Sequence, residues 1–247
     1  MISKNLLKQI ASYKQKKYRQ EDKVFVVEGE KCVNELLHSD FEIVYLCATE
    51  EWFQKGIYSD KFIEVTEKEL ERISNLTTPD KVLAVVKQKE SKRIEIKDEL
   101  YIALDCINNP GNLGTIIRLA AWFGIKNIIC NKESAECYNP KVVQASMGAI
   151  FRVNIFYTEL DKFINTIDKD FPIYGTVIEG GQNIYNAELT KKGLIIIGNE
   201  SRGINSELRK RINRPITIPN FSENKEIESL NASIASAIVL SEFKRRV

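Results

Sequence analysis

Short apolar runs alternate with helical patterns along roughly the first 90 residues of the chain. Four of these runs predict strands: residues 24–27, 43–47, 62–65 and 82–86. Residues 28–37 place Val33, Leu36 and Leu37 on one side of a predicted helix. Strands that alternate with helices predict a small α/β unit whose sheet is covered by helices.

The rest of the chain repeats this alternation with more continuously apolar strands. Six strands are predicted here: 101–105, 127–130, 152–156, 173–177, 194–197 and 216–218. A predicted helix runs from 112 to about 123, and another from about 229 to 244. Wholly apolar strands are typical of parallel sheets that are buried on both faces, so this part is predicted to be an α/β domain with a mostly parallel sheet.

Residues 87–99, KQKESKRIEIKDE, form a dense run of charge between these two parts. Few apolar residues anchor the run, which favours an exposed connection between domains. An edge strand is the alternative, because Ile94 and Ile96 alternate with charged residues. We therefore predict one domain over residues 1–95 and a second over 96–247.

The composition narrows the classes of function. With 43% hydrophobic and 28% charged residues, the 247-residue chain has an ordinary globular composition. It has no apolar run of the roughly 20 residues that span a membrane, and it begins without a signal-peptide pattern, which favours a cytoplasmic protein. Five scattered cysteines and a single histidine, His38, argue against a disulfide framework, a metal site and a serine–histidine–aspartate triad.

Positive charge is concentrated at the N-terminus, although the net charge is only +2. The first twenty residues contain no acidic side chain and six basic ones: Lys4, Lys8, Lys14, Lys16, Lys17 and Arg19. Such a segment favours contact with phosphates. A solvated helix face without a ligand explains the same pattern equally well.

The loop after the strand at 101–105 is the first of three unusual loops. Ligands of open α/β sheets bind at the loops that follow the strands. Residues 108–114, NNPGNLG, combine a Pro-Gly turn with Asn112, which is predicted to cap the following helix. Arg118 lies close enough to this loop to grip a phosphate bidentately. A capped helix with one surface arginine is the alternative for this loop.

Two more loops follow apolar strands near the end of the chain. Residues 198–204, GNESRGI, hold a carboxylate, an amide and an arginine between two glycines, where backbone can approach a ligand closely. Residues 218–233 lead into the last helix, for which Ser229 or Asn231 is the predicted cap. No G-x-G-x-x-G follows a strand and no Walker A sequence is present, which argues against dinucleotide binding and against an NTPase.

Together these loops resemble the three motifs of the SpoU (TrmH-type) branch of the SPOUT RNA methyltransferases. The matching segments are LDCINNPGNLGTIIRLA (104–120), LIIIGNESRGI (194–204) and ITIPNFSENKEIESLNASIASAIVLSEF (216–243). More loosely, residues 24–37 and 75–86 resemble the L30e-like substrate-binding domain that often precedes this catalytic domain. The resemblance implies a homodimer that methylates ribose 2'-hydroxyls of RNA with S-adenosylmethionine, and the composition adds the expectation of no metal and no membrane partner. It also implies a deep trefoil knot in the catalytic sheet.

The resemblance assigns roles to individual residues. Five are the expected catalytic residues: Asn112, Arg118, Glu200, Ser229 and Asn231. Five more are expected to line the S-adenosylmethionine pocket: Thr176, Val177, Gly198, Ile218 and Leu230. Four basic residues of the N-terminal domain become candidate RNA contacts: Lys14, Lys16, Lys17 and Arg19. The sequence departs from the family pattern at Asn109, usually an aspartate, and at Asn220 and Phe221 on the expected pocket rim.

The mechanism and the target RNA leave alternatives open. Arg118 is expected to bind a phosphate and stabilise a developing alkoxide; family proposals also make it the general base. An arginine scarcely deprotonates in a protein, so Glu200 or water must be considered too. The rival functions are an RNA-binding protein without turnover, a doubly wound nucleotide-dependent oxidoreductase and a transfer-RNA methyltransferase of the same branch. The separate N-terminal domain favours 23S ribosomal RNA.

Overall fold

The computed structural model describes residues 2–53, 61–90, 94–222 and 228–245, and the chain divides into two compact units. The first unit consists of Met1–Glu90 with Glu136–Arg152, and the second of Ser91–Ala135 with Val153–Val247. The functional boundary near residue 95 stays a prediction. In packing, however, Glu136–Arg152 joins the first unit, although the predicted boundary assigned it to the second.

The first unit is a small α/β fold around a four-stranded sheet. Its elements are α1 (Lys4–Ser12), α2 (Lys16–Glu21), β1 (Val24–Glu28), α3 (Glu30–Leu37), β2 (Ile43–Ala48), α4 (Glu50–Phe53), β3 (Phe62–Glu64), α5 (Glu67–Ile73), β4 (Val82–Lys87) and α7 (Pro140–Ser146), with a 3-10 turn at Ala149–Phe151. The strand order is β1-β4-β2-β3, antiparallel except between β2 and β3. The four predicted strands are confirmed. The predicted helix begins late because Glu28 extends β1 and Gly29 has a φ of 90°.

Helix α7 and its flanking residues, Glu136–Arg152, hold to the rest of the first unit through aromatic and ionic contacts. Four residue pairs make these contacts: Tyr138 with Phe25, Phe151 with Phe41, Glu136 with Arg19, and Arg152 with Glu35. The Tyr138 ring stacks on Phe25 with centroids 4.4 Å apart. This segment is therefore part of the first unit's core, even though the strands on either side of it belong to the second unit.

The second unit is built on a seven-stranded parallel sheet. Its elements are β5 (Leu100–Leu104), α6 (Pro110–Trp122), β6 (Asn127–Asn131), β7 (Asn154–Thr158), α8 (Leu160–Ile164), β8 (Ile173–Thr176), β9 (Gln182–Asn183), β10 (Gly193–Ile197), α9 (Ser206–Arg209), β11 (Arg214–Thr217) and α10 (Ala232–Arg245). The strand order is β7-β6-β5-β10-β8-β11-β9, and every neighbouring pair is parallel. The predicted parallel α/β domain is confirmed.

Helices cover both faces of the parallel sheet. Ile173 of β8 shares a buried cluster with residues of α8 and α9. Its neighbour Tyr174 points to the other face, because successive strand residues alternate, and its ring meets Phe243 of α10 at 4.8 Å. Helix α10 packs in turn against α6. No helix among the described residues is long and apolar enough to cross a membrane.

The charged connection is partly anchored. Residues 94–99 form no strand, and Ile94 and Ile96 pack against the core of the second unit. The edge-strand alternative is therefore not observed there, and the connection is less exposed than predicted. Residues 91–93 of the charge run, and 223–227 of the third motif, lie outside the described residues.

Candidate active site

A cleft of about 310 Å³ opens beyond the carboxyl ends of three neighbouring strands, β10, β8 and β11. The strand order brings their loops together, as expected for ligand sites in parallel sheets. All five residues predicted to hold the methyl donor line this cleft: Thr176, Val177, Gly198, Ile218 and Leu230. The structure thus places them together, and their role in binding stays a prediction.

The loop after β10 is folded so tightly that only glycine fits at its start. Asn199 and Gly203 exchange backbone hydrogen bonds of 3.2 and 2.8 Å. A Cβ on Gly198 would lie 2.5 Å from the carbonyl carbon of Gly203 and 2.6 Å from the nitrogen of Ile204. Such distances are far inside van der Waals contact, so a side chain at Gly198 must displace backbone that lines the cleft.

Two residues to which the sequence analysis gave no role, Asn199 and Asp105, hold the loops in register. The side chain of Asn199 donates to the Cys106 carbonyl at 2.9 Å and accepts from two backbone N–H groups of its own loop. Asp105 is 4% exposed and accepts from Asn205 N at 2.7 Å and from Asn131 Nδ2 at 3.1 Å. A signal was available, because within the motif segments Asp105 directly follows β5 and Asn199 follows β10 after one glycine.

Four of the five predicted catalytic residues are connected by hydrogen bonds. Asn112 Nδ2 donates to Glu200 Oε1, and Asn231 Nδ2 donates to Asn112 Oδ1 at 3.1 Å. Ser229 Oγ lies 3.4 Å from the Glu200 carbonyl oxygen, to which it donates. Arg118 is exposed on α6, and within the described part of the chain its guanidinium has no hydrogen bond or ion pair. These placements group the predicted residues without testing their roles.

The prediction that Asn112 caps the helix was wrong. Helix α6 begins at Pro110, and Asn109 Oδ1 accepts from Gly111 N at 2.8 Å and from Asn112 N at 3.3 Å. Capping by Asn109 leaves the Asn112 side chain free to turn toward Glu200. The family usually has aspartate at position 109. The amide oxygen of Asn109 caps α6 as an aspartate oxygen would, so the turn is preserved.

The cap predicted for the last helix is confirmed at Asn231. Its Oδ1 accepts from the backbone N–H groups of Ser233 at 3.0 Å and Ile234 at 3.4 Å. The Ser233 hydroxyl donates to the same oxygen at 2.6 Å. The same side chain therefore closes helix α10 and reaches Asn112.

Charge in the cleft favours a cationic ligand. Among the described residues that line it, only Glu200 and Glu228 are charged, and both are acidic. Apolar side chains such as Val177, Ile218 and Leu230 form much of the wall. Acidic groups and apolar walls fit a positively charged ligand with an apolar part and disfavour a nucleotide phosphate.

Cys106 borders this region but is poorly suited to nucleophilic chemistry. Burial raises the pKa of its thiol, and the nearby carboxylate of Glu133 acts in the same direction. The thiol therefore stays protonated at neutral pH, and a thiolate nucleophile is not expected at this site.

Arg19 has a structural role that the sequence analysis missed. It is 1% exposed, donates to the Tyr13 and Lys14 carbonyls at 2.8 and 2.9 Å, and pairs with Glu136 at 2.5 Å. A buried, paired guanidinium is not available to phosphates, so the prediction that Arg19 contacts RNA was wrong. The other three candidates are exposed: Lys14, Lys16 and Lys17.

Comparisons with known proteins agree with this architecture. The sequence model of the SpoU rRNA Methylase family matches residues 99–241, and that of the MRM3-like substrate binding domain matches residues 4–84. The 23S rRNA (guanosine(2553)-2'-O)-methyltransferase RlmP of Bacillus subtilis (strain 168) is 27% identical over 236 residues, covering 91% of this chain and 90% of that protein.

Solved structures extend the likeness over the whole chain. One is described as an RNA methyltransferase of the TrmH family from Porphyromonas gingivalis; it is 34% identical, with a TM-score of 0.91 and 100% coverage of both chains. An AdoMet-bound rRNA methyltransferase from Sinorhizobium meliloti is 29% identical, with a TM-score of 0.88, covering 100% of this chain and 97% of that one. Because the family match spans more than half of the chain and includes all three motif loops, the protein belongs to the SpoU rRNA methylase family.

Proposed function

We propose that this protein transfers a methyl group from S-adenosylmethionine to a ribose 2'-hydroxyl of RNA. The observation that carries the proposal is the cleft beyond β8, β10 and β11, which is lined by all five predicted donor residues. Beside it lies the hydrogen-bonded set of Asn112, Glu200 and Asn231. A donor site and a set of groups able to act on a hydroxyl therefore adjoin each other.

The residues present fit S-adenosylmethionine. When bound, the donor supplies a methyl group activated by a positively charged sulfur. Glu200 and Glu228 give the cleft the opposite charge, and its apolar walls suit the adenine ring. The backbone of the loop after β10, kept open by Gly198, allows close approach of the ligand.

The acceptor side needs a group that binds RNA next to the reacting hydroxyl. Arg118 is exposed and, among the described residues, unpaired, so its guanidinium is available to the phosphate beside the target ribose. Held there, it also stabilises negative charge that develops on the attacking oxygen. Ser229 and Asn231 help to fix the third-motif loop against Glu200, and alignment of two bound reactants is itself a large catalytic effect.

Large-subunit ribosomal RNA is the proposed substrate. The name of the Bacillus subtilis relative specifies 23S rRNA, and the likeness extends over nine-tenths of both chains. The first unit carries the match to a substrate-binding domain and presents Lys14, Lys16 and Lys17 to solvent. Their charge supports binding to the RNA backbone, with the salt dependence that phosphate contacts bring.

The proposed working form is a homodimer. Trp122 on α6 is 83% exposed, and Ile234 on α10 is 53% exposed. These two helices pack against each other, so both apolar side chains belong to one helical layer. Exposed apolar side chains on this layer offer surface that a second copy would cover.

Transfer of labelled methyl groups to ribosomal RNA tests the proposal. The full chain is incubated with S-adenosylmethionine that carries a labelled methyl group and with large-subunit RNA from cells that lack the protein. Digestion to nucleosides should then give a labelled 2'-O-methylnucleoside. Label on a base, or donor binding without transfer to any ribosomal RNA, would contradict the proposed function.

A further inference from the structure

Three apolar side chains that line the cleft remain exposed to solvent. Ile178, Phe221 and Leu230 are 63%, 82% and 43% exposed. They belong to the loop after β8, the loop after β11 and the segment before α10. A side chain that lines a cleft and is so exposed lies at its mouth, and we call these three residues the apolar rim. Exposed apolar residues scattered singly need no explanation, but three around one cleft point to a ligand with an apolar surface.

Phe221 lies in the middle of a turn that its neighbours hold. Asn220 Oδ1 accepts from the backbone N–H of Ser222 at 2.8 Å, which closes a local turn over residues 220–222. Asn220 and Phe221 are also the two positions of this loop that depart from the family pattern. The two departures therefore act together, because Asn220 fixes the turn and the turn presents an aromatic ring where the family pattern has none.

The ring of Phe221 suits only certain parts of an RNA. It has no charge and no hydrogen-bonding group, so it offers nothing to a phosphate. The faces of the bases are the flat apolar surfaces of RNA, and aromatic side chains bind unpaired bases by stacking on them. Within a helix these faces are covered by the neighbouring base pairs. The exposed ring therefore fits a base that has left the stack.

The position of the apolar rim agrees with the place that such a base would occupy. The proposed donor site is inside the cleft, so the acceptor ribose must approach it through the mouth. The 2'-hydroxyl is on the carbon next to the one that carries the base. A ribose at the mouth of the cleft thus brings its own base, or the next one along the strand, to the apolar rim.

We propose that Phe221 stacks on an unpaired base of the RNA substrate, at or next to the nucleotide that is methylated. This inference rests on the proposed methyl transfer. Every base has a face that can stack, so the contact tolerates different sequences and favours an unpaired target segment over a duplex. Phe221 is a substrate-binding residue that touches no reacting atom.

Substitutions of Phe221 test the stacking by steady-state kinetics with large-subunit RNA from cells that lack the protein. Stacking holds the RNA in the ground state and in the transition state alike, so Phe221→Ala should raise KM for RNA about tenfold and leave kcat within about threefold. Phe221→Tyr keeps the ring and should behave like the wild type. Phe221→Leu keeps an apolar side chain without a ring and should resemble Phe221→Ala. Wild-type KM in Phe221→Ala or in Phe221→Leu would overturn the proposal.

Tyr185→Ala is the matched control for the loss of an exposed ring. Tyr185 is 42% exposed in the same unit and is not among the residues that line the cleft, so its removal should leave KM for RNA unchanged. Calorimetry should give Phe221→Ala the donor affinity of the wild type within about threefold. A tenfold loss of donor affinity would place the ring in the donor pocket instead. A lower molecular mass in solution would show that a second copy covers it. Either result would overturn the proposal.

Fluorescence of Phe221→Trp gives a readout that does not depend on turnover. The chain has two other tryptophans, the buried Trp52 and the exposed Trp122, whose emission is measured in the wild type and subtracted. A base that stacks on the added indole should quench its emission when unmethylated large-subunit RNA saturates the protein. Unchanged emission of the added indole in the saturated complex would contradict a base at this position.

The outcomes also separate this inference from the proposed function. If the wild-type protein makes no 2'-O-methylnucleoside, the proposed function fails before Phe221 is considered. If the wild type and Phe221→Ala make it with equal KM for RNA, the proposed function stands and this inference alone is wrong.

Discussion

At the residue scale, Gly198 shapes the floor of the cleft by lacking a side chain. A Cβ there would meet the backbone of Gly203 and Ile204 rather than a flexible side chain. We expect Gly198→Ala to lower affinity for S-adenosylmethionine by about tenfold or more, as measured by calorimetry.

Gly180→Ala is the matched control for that substitution. Gly180 has a φ of +79°, but a Cβ there would meet nothing within 4 Å. We expect about 1–2 kcal/mol of backbone strain and a lower unfolding temperature, with unchanged donor affinity. Equal donor affinities for the two variants would contradict the steric account of the cleft.

Arg118 is the second residue at which a single side chain is expected to control activity, here the rate of methyl transfer. Arg118→Ala should reduce the rate of methyl transfer by about 10²-fold or more while donor affinity changes little, because the side chain acts on RNA and on the transition state. Arg118→Lys should restore little activity, since lysine cannot form the bidentate contact. Steady-state rates with ribosomal RNA measure both, and near-normal rates in both variants would remove Arg118 from the mechanism.

At the element scale, α7 and its flanking residues contribute to the stability of the first unit. Glu136→Ala would leave the buried charge of Arg19 without its ionic partner, so we expect a loss of about 3–5 kcal/mol in the free energy of unfolding. Arg152→Ala breaks a more exposed pair with Glu35 and should cost about 0–1 kcal/mol. Urea unfolding of the full chain compares them, and equal losses would contradict a structural role for the buried pair.

The elements also show why parts of this structure were predictable from sequence. Six of the seven strands of the parallel sheet were found because they carry apolar residues in runs, as in 194–197. The strand β9 has only two residues and carries no pattern. Membership of Glu136–Arg152 in the first unit depends on pairs such as Arg19 with Glu136, which are 117 residues apart and leave no local signal.

The residues of the candidate site could be predicted from sequence motifs, but the contacts between them could not. The donor-pocket residues could be named because motif order and spacing place three loops after three strands. The residue that caps α6 was misassigned, although Pro110 marks the first helical position and makes Asn109 the natural cap. The direction of the hydrogen bonds between Asn231 and Glu200 could not be predicted, since it depends on side chains far apart in sequence.

At the scale of the whole molecule, the proposed dimer depends on exposed apolar side chains of α6 and α10. We expect Trp122→Glu and Ile234→Glu to convert a dimer to a monomer, because each places a charge where apolar surface would be buried. Light scattering coupled to size-exclusion chromatography measures the mass. Tyr18→Glu, at an exposed aromatic residue of the first unit, is the control and should leave the mass unchanged.

The central claim is that this chain methylates ribose in ribosomal RNA, and it is tested most directly in cells. Ribose 2'-O-methylation is mapped across 23S ribosomal RNA in cells with the protein, without it, and with Arg118→Ala in its place. The account predicts that at least one methylated position disappears without the protein, returns with the wild type and stays absent with Arg118→Ala. An identical 2'-O-methylation map in all three strains would contradict it.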